Sequence, residues 1–467
     1  MARDPYDTLR YPTWPRLETH PDRLAAVATL FGMNPAPVDR CRVLEIGAGD
    51  GGNLIPMAYA LPRSRFTGVD LARAPVAEGR RAIRELGLTN VEMLRTDVRA
   101  IGRELGAFDY ILAHGLYSWI PADARDALLA VCRDRLAPAG VALVSYNVYP
   151  GCYARRMSRE MMLCHTGKRR SSRDAKGLLV WLREAAAPPA PWCALLAAEI
   201  DRMLERDDAS FAHDDLAPVN HPVWFHEFAD HAAGHGLQYV GEAHLHEMFD
   251  LRGALARLKG GRLPREQYLD FLQFRRFRQT LLCRREVRLA PRPLAGRVGR
   301  LSFSSPARPQ GDFLEGVHGV RIRRRDRAVI RVAEQLAAAW PRPLPFAALR
   351  ARTAGAREIL MAFCLGGFAE PHAWHFPAPA AAGDRPEASA VARRQARTAP
   401  HVTNLLHRTV ELDPVLVPLL PLLDGTRDLT ALARDWAAAP GAPSRRAARA
   451  SLPDVLAWME RMALLAG

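Results

Sequence analysis

The chain has 467 residues, 49% of them hydrophobic and 25% charged, which is room for roughly two to four domains and excludes whole-chain disorder or a collagen. Its seven cysteines never fall in CxxC spacing, so they read as reduced thiols without a disulfide scaffold or a structural zinc site. The formal net charge is +15, yet only Lys168, Lys176 and Lys259 among the 65 basic residues are lysines; GC-rich codon usage produces such a chain, so the charge allows an acidic partner without requiring nucleic acid.

No basic head followed by an apolar core opens the sequence, and no run approaches the roughly 18 apolar residues of a membrane span. A cytoplasmic protein is therefore expected. A helix over 21–31 opens on Thr19-His20-Pro21-Asp22. Strands are predicted at 42–46, 65–69, 91–95, 110–113 and 141–146, with helices at 72–86 and 122–136 between them. Leu128, Leu129, Cys132 and Leu136 share one face of the second helix. This alternation predicts a parallel sheet covered on both faces.

From residue 152 the alternation stops. Residues 177–187, 191–205, 222–235 and 264–282 read as helices, and 244–249 as a short extended piece. The Pro/Gly/Ser-rich stretch 290–311 reads as a linker. Beyond it lie two helix-rich segments, 312–370 and 396–467, on either side of an Ala/Pro-rich stretch at 375–390. Each has the size of a small helical or winged-helix module. The organisation expected is a Rossmann-like α/β domain over 1–151, a mainly helical middle domain over 152–290, a linker at 291–311 and a winged-helix-like region over 312–467.

The most informative segment is Glu45-Ile-Gly47-Ala48-Gly49-Asp-Gly51-Gly52, a buried strand running into glycines and then a helix. Glycines suit a tight turn that a ligand approaches without a Cβ in its way. Asp70 ends the next strand, where a carboxylate can take two ribose hydroxyls. The spacing Gly47-x-Gly49-x-x-Gly52 also satisfies the dinucleotide fingerprint. Glu45 argues against that alternative: an acid two residues before the first glycine receives an amino group and repels a pyrophosphate. Thr96-Asp97-Val98 follows the third strand, where a side chain can reach an adenine amine.

These features, with Phe108-Asp-Tyr-Ile-Leu and Leu136-Ala-Pro-Ala-Gly140 supplying the fourth and fifth strands, resemble the class I S-adenosylmethionine-dependent methyltransferases. The likeness narrows to one bacterial branch through Thr19-His20-Pro21, His114-Gly-Leu-Tyr117-Ser118-Trp119-Ile-Pro121 and Ser145-Tyr146-Asn147-Val-Tyr149-Pro150-Gly151. That branch carries a middle methyltransferase regulatory domain, matched by His213-Asp214-Asp215-Leu216, 222–237 and 275–283. It also carries a C-terminal winged-helix domain, matched by Val402-Thr-Asn404-Leu and 419–427. Its characterised members are the rickettsial-type protein lysine methyltransferases of outer-membrane protein B. The resemblance implies S-adenosyl-L-methionine as cofactor, held by Glu45, Gly47, Ala48, Gly49, Asn53, Asp70, Leu71, Asp97, Val98 and His114. It implies as acceptor a protein with exposed lysines, an outer-membrane protein before export among the candidates.

A lysine acceptor must arrive neutral, against an ordinary pKa of about 10.4. Aromatic rings and amide oxygens surround an amine without locking it as an ion pair, which makes Tyr117, Trp119, Tyr146 and Asn147, at the carboxyl edge of the sheet, the catalytic candidates. Tyr11 and Trp14 could close over the cofactor. Two rivals are a methyltransferase for a small molecule and a non-enzymatic, cofactor-sensing regulator whose winged helix binds DNA. The basic run 321–327 suits solvated faces or an acidic protein better than base readout. No metal is expected: His226 and His231 are five residues apart, roughly 140° around a helix, and His244-x-His246 could chelate but has no third ligand placed by the sequence.

Overall fold

The computed structural model describes residues 11, 13–185, 191–249, 253–258, 260–376 and 381–466. The first ten residues, Lys259, the last two residues of the helix expected at 177–187, and 377–380 of the Ala/Pro-rich stretch lie outside them.

Five strands, Arg42–Ile46 (β1), Arg65–Asp70 (β2), Val91–Arg95 (β3), Phe108–Ala113 (β4) and Leu136–Asn147 (β5), pair in parallel as expected. The helices Pro21–Leu30 (α1), Leu54–Ala60 (α2), Arg73–Glu85 (α3) and Ala122–Arg135 (α4) accompany them. The chain order β1–α2–β2–α3–β3 reverses direction across the sheet at β1 and β4, and ligands of open α/β sheets bind at the carboxyl ends beside such a reversal.

The sheet has seven strands in the order β3-β2-β1-β4-β5-β7-β6, and the last two come from the segment read as helical. Leu237–Glu242 (β6) and Phe277–Arg284 (β7) are antiparallel additions beyond β5. The helix expected over 264–282 ends instead at Gln273, with Phe274 in the left-handed region at φ +49. Inside the sheet β7 buries six consecutive residues, and a strand covered on both faces shows no period of two. Residues 244–249 form a 3-10 turn, Leu245–Met248, and not an extended piece. The rest of this segment is helical as expected: Cys152–Thr166 (α5), Ser172–Ala185 (α6), Pro191–Leu204 (α7), Asp208–Asp215 (α8), Phe225–Gly234 (α9) and Arg262–Gln273 (α10). The first four pack around Met162, Leu179, Ile200 and Phe211.

Residues 291–311, read as a linker, carry the turn Ala295–Arg300 and the strands Ser302–Ser304 (β8) and Arg308–Gln310 (β9). Val298, Leu301 and Phe303 are buried in the main core. Then follow Phe313–Glu315 (β10), Arg321–Arg323 (β11), Arg327–Ala339 (α11), Leu344–Pro345 (β12), Phe346–Arg352 (α12), Ala356–Gly366 (α13) and Glu370–His372 (β13). The strands order as β12-β8-β13 and β11-β10-β9. A last module holds Ala390–Gln395 (α14), the hairpin of His401–Thr403 (β14) and Thr409–Glu411 (β15), Leu429–Ala437 (α15) and Arg445–Arg461 (α16), closing on its own core around Trp436.

All ten residues of α1 are buried. It packs against β5 and β6 on one side and β13 on the other. His20 caps its N-terminus by accepting from the Asp22 amide, and Pro21 fills a position whose missing N–H costs nothing there. Asp22 in turn accepts from the Trp374 amide (2.7 Å) and pairs with His372 (2.6 Å), while Arg23 pairs with Glu370 (2.8 Å). The quoted Thr19-His20-Pro21-Asp22 motif thus fastens the α/β domain to β13.

Candidate active site

The loop after β1 is fixed by the backbone of β2. The amides of Gly47 and Ala48 both donate to the Val69 carbonyl (2.8 and 3.1 Å). Gly47 and Gly49 adopt φ of +79 and +56, conformations that glycine takes without a Cβ penalty. Gly49 N–H donates to one Asp70 carboxylate oxygen and Ala72 N–H to the other, each at 2.8 Å. Asp70 is thereby held at the tip of β2 with its carboxylate level with the loop. Leu71 beside it is 53% exposed, whereas Ala48 is buried.

Glu45 lies beneath the loop and is buried. Its Oε1 accepts from Asn53 Nδ2 at 2.7 Å, and its Oε2 is buried without a hydrogen-bond partner among the described residues. Burial pushes its carboxyl up to about 7, against the Asn53 hydrogen bond. A buried oxygen lacking a donor is costly, and a ligand ammonium would supply the donor. Asn53 is a junction: its Oδ1 accepts from the Arg16 amide (2.8 Å) and from His407 Nε2 (2.9 Å), and its Nδ2 donates to Thr19 Oγ1 (2.9 Å) as well as to Glu45.

Asp97 caps the 3-10 turn Val98–Ala100. Both of its oxygens are engaged by Arg99, whose side chain also bridges to Asp123 (2.7 Å), and the Arg99 hydrogen bond holds the Asp97 carboxyl low. Val98 is half-buried behind it.

His114 ends β4. The β1–β4 register pairs Glu45 with Leu112, which brings His114, two residues on, level with Gly47. Leu116 is the side chain that packs in the space of a Gly47 Cβ. His114 Nε2 lies 3.7 Å from Glu18 Oε1, Gln279 Nε2 donates to the same oxygen at 3.0 Å, and the Phe277 ring stands edge-on at 5.7 Å. Burial pulls the imidazole down, so it is neutral at pH 7. Glu18, despite its burial, is held below the ordinary carboxylate range by the facing His114 imidazole and a backbone hydrogen bond. The sequence reading named His114 but not Glu18, Phe277 or Gln279. The available signals were the position of Glu18 just before Thr19-His20-Pro21 and the presence of the other two in the 275–283 match.

Tyr117 and Tyr146 come together, with ring centroids 5.9 Å apart, and both pack on Phe228 of α9. Their rings belong to the core formed by α4 and α9. The Tyr117 hydroxyl bonds His231 Nδ1 at 2.7 Å, and burial pushes it up to about 12. The Tyr146 hydroxyl bonds Thr280 Oγ1 at 3.0 Å. Trp119 lies under the Arg155 guanidinium. Asn147 donates from its backbone N–H to Ser118 Oγ (2.9 Å) and from its side-chain Nδ2 to Asn220 Oδ1 (3.5 Å). Tyr117 and Trp119 follow β4, and Tyr146 and Asn147 end β5; the Tyr117 and Tyr146 rings turn into the core, whereas Glu18, His114 and Phe277 form a separate group.

The N-terminal arm crosses the loop through Thr13, whose hydroxyl bonds the Asp50 carboxylate. A Cβ at Gly52 would meet the Thr13 carbonyl at 2.7 Å. Tyr11 stands edge-on to His213, and Trp14 to His401. His226 and His231 diverge, the first to Gln267 and the second to Tyr117 and Asp126. Beyond Tyr117 opens a cleft of about 620 Å³ with Arg125, Arg155, Arg156 and Arg159 on its walls.

A methyltransferase domain family matches residues 44–142, a predicted methyltransferase regulatory domain matches 207–284, and a PKMT C-terminal winged helix domain matches 384–440. Two uncharacterized proteins of Rickettsia prowazekii (strain Madrid E) are similar. RP789 is 35% identical over 296 residues, covering 61% of this chain and 54% of that one. RP028 is 32% identical over 232 residues, covering 49% and 93%. The chain thus spans about half the length of RP789. In fold it is similar to PKMT2 from Rickettsia typhi, with a TM-score of 0.84 and 23% identity over 98% of this chain and 100% of that one. The same protein in complex with AdoHcy gives 0.82. No helix among the described residues is long and apolar enough to cross a membrane.

Proposed function

The chain belongs to the class I S-adenosylmethionine-dependent methyltransferases, in the branch that joins a methyltransferase domain, a regulatory domain and a PKMT-type winged helix, and we propose that its acceptor is a lysine side chain of a protein. The residues fit the cofactor. Glu45 Oε2, buried and without a donor among the described residues, is placed to receive the amino group. Gly47, Ala48 and Gly49 bring backbone rather than side chains to the amino-acid end. Asp70, pinned by two amides, takes ribose hydroxyls, with Leu71 and Val98 on the flanks of the base and Asp97 at its amine. Bound there, S-adenosylmethionine supplies a methyl group already activated on a sulfonium.

The observation that carries the acceptor reading is the group of Glu18 and His114, both half-buried, with the exposed Phe277 ring edge-on to His114. Glu18 draws in an ammonium, His114 offers a neutral nitrogen that does not repel it, and the Phe277 ring takes the amine's cationic form on its face. Leaving water lowers the amine's hold on its proton while the Glu18 carboxylate strengthens it, and the proton passes to solvent before the nitrogen is aligned. Asn147 and the ring pair Tyr117–Tyr146 act from behind, setting the wall of this site. In this reading 1–151 holds the cofactor, 152–290 completes the sheet and the acceptor side, and 312–467 braces the glycine loop. The arginine-walled cleft docks an acidic flank of the substrate. The finer reading is a cytoplasmic enzyme that methylates an outer-membrane protein before export.

The test has two parts. Calorimetric titration with S-adenosylhomocysteine should give micromolar binding that Asp70→Ala loses. Tritiated methyl transfer to cell extract, followed by acid hydrolysis, should place the label on methylated lysine. Label found in small molecules alone would reverse the acceptor assignment, and salt-dependent DNA binding without any turnover would favour a regulator.

A further inference from the structure

Three histidines from distant parts of the chain meet in one cluster. His244 and His246 lie on the turn after β6, and His318 lies on the turn between β10 and β11. The ring centroids are 5.8 Å (244–246), 5.0 Å (244–318) and 4.4 Å (246–318). One nitrogen from each ring lies within 4.8 Å of the other two. The sequence placed only the first pair; the fold brings the third.

The cluster has the marks of a built site. His244 Nδ1 is buried with no hydrogen-bond partner among the described residues, so one nitrogen of this ring is left with a lone pair or N–H unsatisfied. The His246 ring is seated on Gly367 at the end of α13, where a Cβ would come within 2.9 Å of it. His318 adopts φ +59, a conformation that histidine tolerates better than most residues. Glu370 Oε1 lies 3.8 Å from His318 Nε2 and is also ion-paired with Arg23, so a carboxylate stands near one ring, as it commonly does beside metal-binding histidines.

We propose that His244, His246 and His318 bind one divalent transition metal of the class that prefers imidazole, with zinc as its representative. Three neutral nitrogens and a water-accessible fourth position complete a tetrahedral shell, and no redox change is involved. The ion ties the turn after β6 to the β10–β11 turn, and so the edge of the seven-stranded sheet to the segment that carries β13 and Glu370.

The full chain, stripped by a chelator and dialysed, is titrated with zinc chloride. One equivalent is expected to bind with submicromolar affinity, and His318→Ala, on an exposed turn, should weaken it by about 100-fold or more. His246→Ala should do the same, with circular dichroism verifying that both variants are folded. Cobalt-substituted protein should show the visible absorption of a four-coordinate site, lost in His318→Ala. A second histidine-rich group, Asp126, His231 and His235, supplies the control: His235→Ala should leave the stoichiometric site intact. Absence of stoichiometric zinc binding by the wild type, binding retained in His318→Ala, or binding lost in His235→Ala would each overturn the assignment.

Discussion

His407 Nε2 stands 2.9 Å from Asn53 Oδ1, although 354 residues separate them in sequence. His407 sits in the C-terminal module at φ +57, and burial holds its ring neutral, so Nε2 carries the proton and donates. Asn53 in turn donates to Glu45. Two hydrogen bonds through Asn53 therefore link the winged-helix module to the carboxylate under the glycine loop. His407→Ala should weaken S-adenosylhomocysteine binding by about fivefold, the worth of one neutral hydrogen bond of roughly 1 kcal/mol. Calorimetry checks this, and an unchanged affinity in a folded variant would show that the module braces nothing.

Glu45 makes cofactor binding depend on pH. Its folded pKa is raised to about 7, so the unliganded protein carries it mostly protonated at pH 6 and mostly ionised at pH 8. A ligand ammonium needs the ionised form, and affinity for S-adenosylhomocysteine should rise about tenfold across that interval. The stability contribution runs the other way. Between the unfolded value near 4.5 and the folded value near 7, the folded state binds more protons, so stability falls as pH rises through that window. Glu45→Gln should remove both effects, giving a flat affinity profile at a weaker level. A wild-type affinity that does not change from pH 6 to 8 would mean the carboxylate is already ionised.

Arg278 shows how the sheet extension is held. It is fully buried and bonds Glu242 (2.5 Å), Glu266 (3.2 Å) and Asp270 (2.9 Å), with its guanidinium over the Phe225 ring. Burial pushes Glu266 up to about 7 and Asp270 upward, so part of the excess negative charge is neutralised by protons. Arg278→Met strands the carboxylates and should cost about 3–5 kcal/mol in urea unfolding. Glu266→Gln, which mimics the protonated acid, should cost less than about 1.5 kcal/mol at pH 7. If the two variants lose equal stability, proton sharing in this cluster is refuted.

The parts of this site that the sequence made legible are local ones. Glu45, the glycines and Asp70 lie within one strand–loop–helix–strand unit, where spacing alone fixes geometry. Glu18 and Gln279 touch across 261 residues, and no period or spacing encodes that contact. β7 was read as helix because burial on both faces erases its alternation. Tyr146 and Asn147 are a further case. Their position after a strand tells which edge of the sheet they occupy, but neighbours on a strand face opposite sides, and Tyr146 turns into the core against Phe228. The third histidine at 318 meets His244 and His246 only through tertiary packing, in which α13 lies on the turn after β6.

Gly52 explains why the N-terminal arm lies where it does. A Cβ there would run into Thr13, its carbonyl at 2.7 Å, and the backbone cannot yield as a flexible side chain would. Gly52→Ala should lift residues 13–16 from the loop and loosen the Arg16 amide from Asn53. The expected result is about a tenfold loss of S-adenosylhomocysteine affinity and faster tryptic cleavage at Arg16. Cleavage at the wild-type rate would show that the arm does not depend on this contact.

Glu18→Gln separates acceptor handling from cofactor binding. The amide keeps the shape of the carboxylate and can still accept from Gln279, but it no longer attracts an ammonium, and it removes the charge facing His114. Methyl transfer to a lysine-bearing protein should fall about 100-fold in kcat/KM, with S-adenosylhomocysteine affinity within about threefold of the wild type. The loss should be smaller at high pH, where more of the acceptor arrives as free amine and needs no anion to draw it in. A variant that loses cofactor affinity as much as turnover would move Glu18 from the acceptor side to the cofactor side. One that keeps full turnover would leave Phe277 and His114 to hold the amine alone.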